Sequence, residues 1–152
     1  MTKEELKIKL TEQLPAATFD ESGEWLTMTI AAADLLSAAE ILRNNSPLNF
    51  DYLFCETCID FKTNLTMVYH LTSTSHRQPL VVKIQLDRTK PEVETVSHIW
   101  KTAEFLEREV YEMFGVKFLH HPDLRLLILE DGWEGKNPLR KDFEDPVNMI
   151  KL

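Results

Sequence analysis

Residues 50–87 read FDYLFCETCIDFKTNLTMVYHLTSTSHRQPLVVKIQLD, and this stretch decides the fold. Leu65, Met67, Tyr69 and Leu71 alternate onto one face, and so do Val82, Ile84 and Leu86. A period of two over runs this long is the signature of strands with one buried side. Three strands are expected, at Phe50–Asp60, Leu65–Ser73 and Leu80–Asp87. The short Lys62-Thr63-Asn64 link makes the first two an antiparallel hairpin.

Working outward, Thr2 and Glu5 form a capping box. The helix it opens carries Leu6, Leu10 and Leu14 on one stripe and ends at Pro15 and an Asp20–Gly23 turn. Trp25–Ala31 reads as a strand, with Leu26, Met28 and Ile30 on one face. Asp34–Asn45 reads as a helix through Leu35, Ala38, Ala39 and Leu42. A last helix spans Ser97–Phe114, where Ile99, Ala103, Leu106, Val110 and Met113 form one apolar stripe. Gly115 is placed to cap it in the left-handed conformation. This order predicts an α+β two-layer sandwich: a mixed sheet of four to five strands with helices on one face. The compact domain would occupy residues 1–118, followed by an extended C-terminal tail over 119–152. The tail holds Pro122, Pro138, Pro146, Gly132 and Gly135, with Trp133 and Phe143 set among charges. So irregular a segment needs a surface to lie on, its own sheet or a partner.

The 152 residues carry a formal net charge of −8 and a pI near 5.1. A duplex nucleic-acid binder presents a basic face, so this balance disfavours that class, and anionic lipid with it. The longest apolar runs are a few residues, such as Leu126–Leu129, against the roughly 20 that a membrane span needs. Residues 1–14 lack the apolar core of a secretion leader, so a soluble cytoplasmic protein is expected. The sequons at Asn44 and Asn64 therefore carry no meaning. Neither a glycine-rich phosphate cradle nor a nucleophile elbow is present.

Cys55 and Cys58 make a C-x-x-C, but positions three apart on a strand face opposite ways, and no second pair completes a four-thiolate site. His120 and His121 are adjacent on a loop and poorly placed to share one ion. On the last helix, Glu107 falls beside the apolar stripe and Glu109 on its other flank. Arg108 and Glu112 lie opposite, where Glu104–Arg108 and Arg108–Glu112 would form salt-bridged pairs on a solvated face. Phe105 on that polar side has the character of an interface anchor. An acid/base enzyme using Glu107, Glu109 and His121, and a module that adds a peptide to a sheet edge, are the competing readings.

Glu107-Arg108-Glu109-Val110-Tyr111-Glu112-Met113-Phe114-Gly115-Val116 resembles the E-R-E-x-x-D-M-F-G-I signature of the 30 kDa (C-type) subunit family of respiratory complex I, the NADH:quinone oxidoreductase. His121-Pro122-Asp123-Leu124-Arg125 follows at the family's distance. Trp133-x-Gly135 and Pro138-Leu139-Arg140-Lys141-Asp142-Phe143 come next. Glu112 stands where Asp is usual, His120 where Gly is common, Lys101 where Pro is frequent, and Lys136-Asn137 adds one residue. The resemblance implies a non-catalytic peripheral-arm subunit of a proton-translocating complex, without cluster, flavin or metal of its own. NADH, FMN, iron–sulfur clusters and quinone would sit on other subunits. Its partners would be the D-type (49 kDa) quinone-site subunit and the B- and I-type iron–sulfur subunits, on the cytoplasmic side of the inner membrane. Related subunits serve membrane-bound nickel-iron hydrogenases and ferredoxin- or F420-dependent dehydrogenases. On this reading Phe105, Arg108 and Tyr111 of the helix face neighbouring subunits, with Glu107 and Glu109 beside them. The segment from His121 to Phe143 crosses onto the D-type subunit, anchored by Trp133 and Phe143 and paired through Arg125, Arg140 and Lys141.

Overall fold

The computed structural model describes residues 1–149. Helix α1 (Lys3–Gln13) opens on the capping box, closed in both directions: Glu5 N–H donates to Thr2 Oγ1 at 3.2 Å and Thr2 N–H to Glu5 Oε2 at 2.9 Å. Leu6 and Leu10 are its buried stripe. Strand β1 (Thr18–Asp20) then pairs antiparallel with β2 (Thr27–Ile30). The sequence shows only a turn at this place, because a three-residue strand has no readable alternation. A 3-10 turn at Ala32–Asp34 leads into α2 (Leu35–Asn44), which buries Leu35, Ala38, Ala39 and Leu42.

The deciding stretch folds as expected, into β3 (Tyr52–Asp60), β4 (Asn64–Ser73) and β5 (Gln78–Asp87), a continuous antiparallel meander. Strand β2 adds to β5 in parallel, which gives a mixed five-stranded sheet of order β1-β2-β5-β4-β3. Leu65, Met67, Tyr69, Leu71, Leu80, Val82, Ile84 and Leu86 form its inward stripe, and all three helices contribute to the core on that face. Among the described residues, no helix is long and apolar enough to cross a membrane.

The last helix is shorter than its pattern. Helix α3 runs Ala103–Phe114 and lies against β3, while residues 97–102 form turns. Those turns find partners in the sheet: Trp100 Nε1–H donates to Phe50 O at 2.8 Å and the Thr102 hydroxyl to Leu53 O at 2.7 Å. Gly115 caps α3 at φ 75°, as expected. A second, two-stranded parallel sheet joins β6 (Glu92–Glu94) to β7 (Lys117–Leu119), so the boundary expected after residue 118 falls inside a strand.

The Trp100–Phe50 bond ties the entry of α3 to the entry of β3. Trp100→Phe keeps an aromatic ring but leaves a buried carbonyl without its donor, so stability should fall by about 1–3 kcal/mol. Urea unfolding of the full chain measures this, and an unchanged midpoint would mean that another donor reaches Phe50.

Candidate interface

Helix α3 is covered on both sides. Its apolar stripe meets the sheet, and the centre of its polar side is covered as well. Glu107, Arg108 and Glu112 are all buried. The solvated, salt-bridged face expected there is therefore absent, and neither Glu104–Arg108 nor Arg108–Glu112 forms an ion pair among the described residues.

The cover is the segment after β7. The Arg108 guanidinium donates from Nε to Arg125 O at 3.1 Å and from Nη2 to Leu126 O at 2.5 Å. The Glu112 carboxylate then accepts the next three N–H groups, from Leu127 (2.9 Å), Ile128 (2.9 Å) and Leu129 (3.2 Å). Two buried charges thus satisfy an irregular backbone, first its carbonyls and then its amides. Each such charge-assisted bond contributes roughly 1.5–3 kcal/mol. Two side chains of the pinned segment point outward, Leu127 at 40% and Ile128 at 62% exposed, between half-buried Leu126 and Leu129, and Phe105 on the same helix as Arg108 is 56% exposed. The Arg108 guanidinium also lies over the Phe105 ring, 5.7 Å from its centre.

A second set of contacts holds residues 139–142. Leu139 N–H donates to Met113 O (3.1 Å) and Arg140 Nε to Phe114 O (2.6 Å). Asp60, inward at the end of β3, accepts from Arg88 through both oxygens (3.0 and 2.9 Å) and from Lys141 N–H (2.9 Å). The Arg88 hydrogen bonds hold the Asp60 carboxyl well below the usual carboxylate range. Arg88 also bonds Asp142 at 2.9 Å. Between the two clasps, Asn137 packs its amide onto Gly115, within 2.6 Å of where a Cβ would stand.

Other expected site residues take local partners. Arg125 pairs with Asp123 at 2.9 Å, beside exposed Pro122, and Tyr111 packs against the core. Trp133 donates to Glu130 (2.8 Å) and sits 6.3 Å from Phe143, with Lys136 over its ring. Trp133, Arg140, Phe143 and Val147 line an open cavity of about 720 Å³, close in sequence to half-buried Pro138. Within the chain, Arg125 pairs with Asp123, Arg140 donates to Phe114 O, and the backbone N–H of Lys141 donates to Asp60.

The acid/base reading fares poorly. His121 Nε2 does approach Glu107 Oε2, at 3.6 Å, but both side chains are shielded from solvent and a substrate has no route to them. Glu109 stays on the opposite flank near Cys55, whose thiol burial pushes up. Cys58 faces the core, and burial drives its thiol up to about 12, so the C-x-x-C offers no convergent thiolate pair. Strand β3 is a sheet edge, but the tail already reaches it at Asp60.

The role of Glu112 is not legible in the sequence as a clasp, because its partners are backbone amides with no side-chain signature. Glu112→Ala should free the amides of Leu127, Ile128 and Leu129 to exchange with solvent at least about tenfold faster. Stability should fall by about 1–3 kcal/mol. Hydrogen exchange read residue by residue tests this, and unchanged protection at those three amides would refute the clasp.

Residues 28–147 match the family described as the respiratory-chain NADH dehydrogenase, 30 Kd subunit. The C subunit of the F(420)H(2) dehydrogenase of Methanosarcina mazei is 36% identical over 138 residues, 89% of this chain and 87% of that one. The C/D subunit of the NADH-quinone oxidoreductase of Phocaeicola vulgatus is 43% identical over 115 residues, 74% of this chain but only 22% of that longer protein. A chain in the structure of the membrane-bound sulfane sulfur reductase, an archaeal respiratory membrane complex, superposes with a TM-score of 0.79 at 30% identity, covering 93% of this chain and 85% of that one. The chain belongs to the 30 Kd subunit family of respiratory-chain NADH dehydrogenase.

Proposed function

We propose that this chain is a non-catalytic peripheral-arm subunit of a proton-translocating NADH:quinone oxidoreductase, and that its pinned C-terminal segment is the surface on which a partner subunit docks. The observation that carries this is the orientation of residues 125–129. Their backbone is taken up by Arg108 and Glu112, and Leu127 and Ile128 are left facing outward. A lone chain gains nothing by displaying apolar side chains on a rigid frame, whereas an interface gains order already in place. Buried apolar anchors of this kind can each contribute ~2 kcal/mol or more.

The partners in this reading are the D-type quinone-site subunit first, with the B- and I-type iron–sulfur subunits nearby. NADH, FMN, clusters and quinone belong to those and other subunits, and this chain holds none. The complex lies on the cytoplasmic side of the membrane, to which the chain is attached through its partners. Its contribution is geometric, because electron transfer requires cofactors kept at fixed separation and rigid support maintains that separation. The similarity to an F(420)H(2) dehydrogenase subunit and to a chain of a sulfane sulfur reductase complex favours a second reading, in which the same scaffold serves a related complex with another electron donor.

Replacing both Leu127 and Ile128 by Glu leaves the backbone clasp untouched, since only exposed side chains change. The isolated chain should keep its melting temperature within a few degrees. Co-purification with a co-expressed D-type subunit should fall at least about tenfold, the effect of losing a buried apolar anchor. Undiminished co-purification would remove the docking surface from the proposal.

A further inference from the structure

A second cluster of polar groups lies deeper, between the sheet and α3. Glu56 and Tyr69 face each other directly across β3 and β4, and they are only 3% and 1% exposed. Neither carboxyl oxygen of Glu56 nor the Tyr69 hydroxyl has a hydrogen-bond partner among the described residues. Glu107 comes down from α3. Its Oε1 accepts the Val96 N–H at 2.7 Å and its Oε2 the Thr95 hydroxyl. His121, at the start of the tail, places Nε2 3.6 Å from Glu107 Oε2. Asp123 N–H points at His121 Nδ1 (3.0 Å), so Nδ1 is an acceptor and the proton sits on Nε2, directed at Glu104 O (2.9 Å). The ring is therefore neutral in this arrangement and supplies no counter-charge.

Among the described residues, no lysine or arginine bonds to Glu56, Tyr69 or Glu107, and the positive charge of Arg140 is felt only at the edge of the cluster, by Cys58. The titratable groups around it are Cys55 and Cys58 from β3, Tyr69 from β4, Glu107 from α3 and His121 from the tail. Thr95 and Ser97 add hydroxyls from the approach to α3. Arg108, next to Glu107 in sequence, points instead at the tail carbonyls. Two carboxylates left ionised in a dry core without a counter-ion are heavily penalised, and the usual escape is for one of them to keep a proton.

We propose that Glu56 and Glu107 together hold one proton in the folded chain at neutral pH, so that the space beneath α3 is a proton-binding site. The proton resides on Glu56. Glu107 has two donors that stabilise its anion and Glu56 has none. Burial lifts the Glu56 carboxyl well above its ordinary range, and the charge of Glu107 adds to the effect. Burial also pushes Glu107 up, to about 7. The pair titrates as a unit. Through His121, which touches both Glu107 and the Asp123 amide, proton occupancy is linked to the seating of residues 121–123.

The sign of the pH dependence follows. A carboxyl that is raised on folding binds more protons in the folded than in the unfolded chain. Stability from this pair is therefore complete below about pH 4.5 and is lost as pH rises towards about 7 and beyond. Two measurements on the full chain test the proposal. Infrared spectra at neutral pH should show a protonated-carboxyl C=O band that Glu56→Gln abolishes. The unfolding constant in urea, followed from about pH 5 to about pH 8, should rise by up to about tenfold per pH unit in the wild-type chain. Glu56→Gln should lose the part of that rise contributed by Glu56, keeping only the smaller rise towards about pH 7 that the burial of Glu107 gives. If Glu56→Gln fails to fold, the wild-type infrared titration decides alone. Absence of the band at neutral pH, or equal pH slopes in the two chains, would show that both carboxyls are ionised and overturn the proposal.

Discussion

Burying a guanidinium and a carboxylate on one helix is tolerable only if something supplies their hydrogen bonds, and here the polypeptide backbone does so. Arg108 takes two carbonyls and Glu112 takes three amides of the same irregular segment. Each side depends on the other. Without the segment, the two charges would face water and α3 would become a surface helix. Without the charges, the irregular backbone of residues 125–129 would lose these partners and revert to water. Helix α3 is therefore a middle layer rather than a surface helix, with the sheet on one side and the tail on the other.

This mutual dependence changes what the tail is. Its prolines, rings and guanidinium groups suggest a segment that waits for a partner before it orders. In the structure it is already ordered by its own domain, through a first clasp at Arg108–Glu112 and a second at Asp60–Arg88–Asp142. What the tail leaves unsatisfied is side-chain surface, since Leu127, Ile128 and Leu139 remain outside. A segment in this state loses little conformational entropy when a partner covers it.

The sequence makes some of this legible and hides the rest for identifiable reasons. The three long strands, the Thr2–Glu5 cap, α2 and the Gly115 cap each depend on short-range spacing, and each is readable. Strands β1, β6 and β7 are three residues long, and two of the sheet pairings are parallel and join distant segments, so no local pattern announces them. The angular position of Arg108 and Glu112 on the helix is also readable. What covers that side is not, because the covering groups are peptide bonds, which every residue carries. A helical projection tells which residues share a face, but it cannot tell solvent from a layer of backbone.

Strand β3 connects the two buried polar systems. A bulge between Leu53 and Cys55 shifts its alternation, so that Leu53 and Glu56, three apart, both face inward. Past the bulge the inward stripe is Glu56, Cys58 and Asp60, an unusually polar set for the inner face of a sheet. Glu56 lies buried where it feels the charge of Glu107, while Asp60 lies at the strand end and takes the tail amide of Lys141. One strand therefore carries an uncompensated acid at its middle and a fully compensated one at its end. The compensated acid holds the tail by ordinary ion pairing. The uncompensated one sits where a change of charge would be felt by Glu107, then by His121, then by the first turn of that same tail. The inner stripe of β3 in this way joins the ion-paired tail to the buried acids beneath α3.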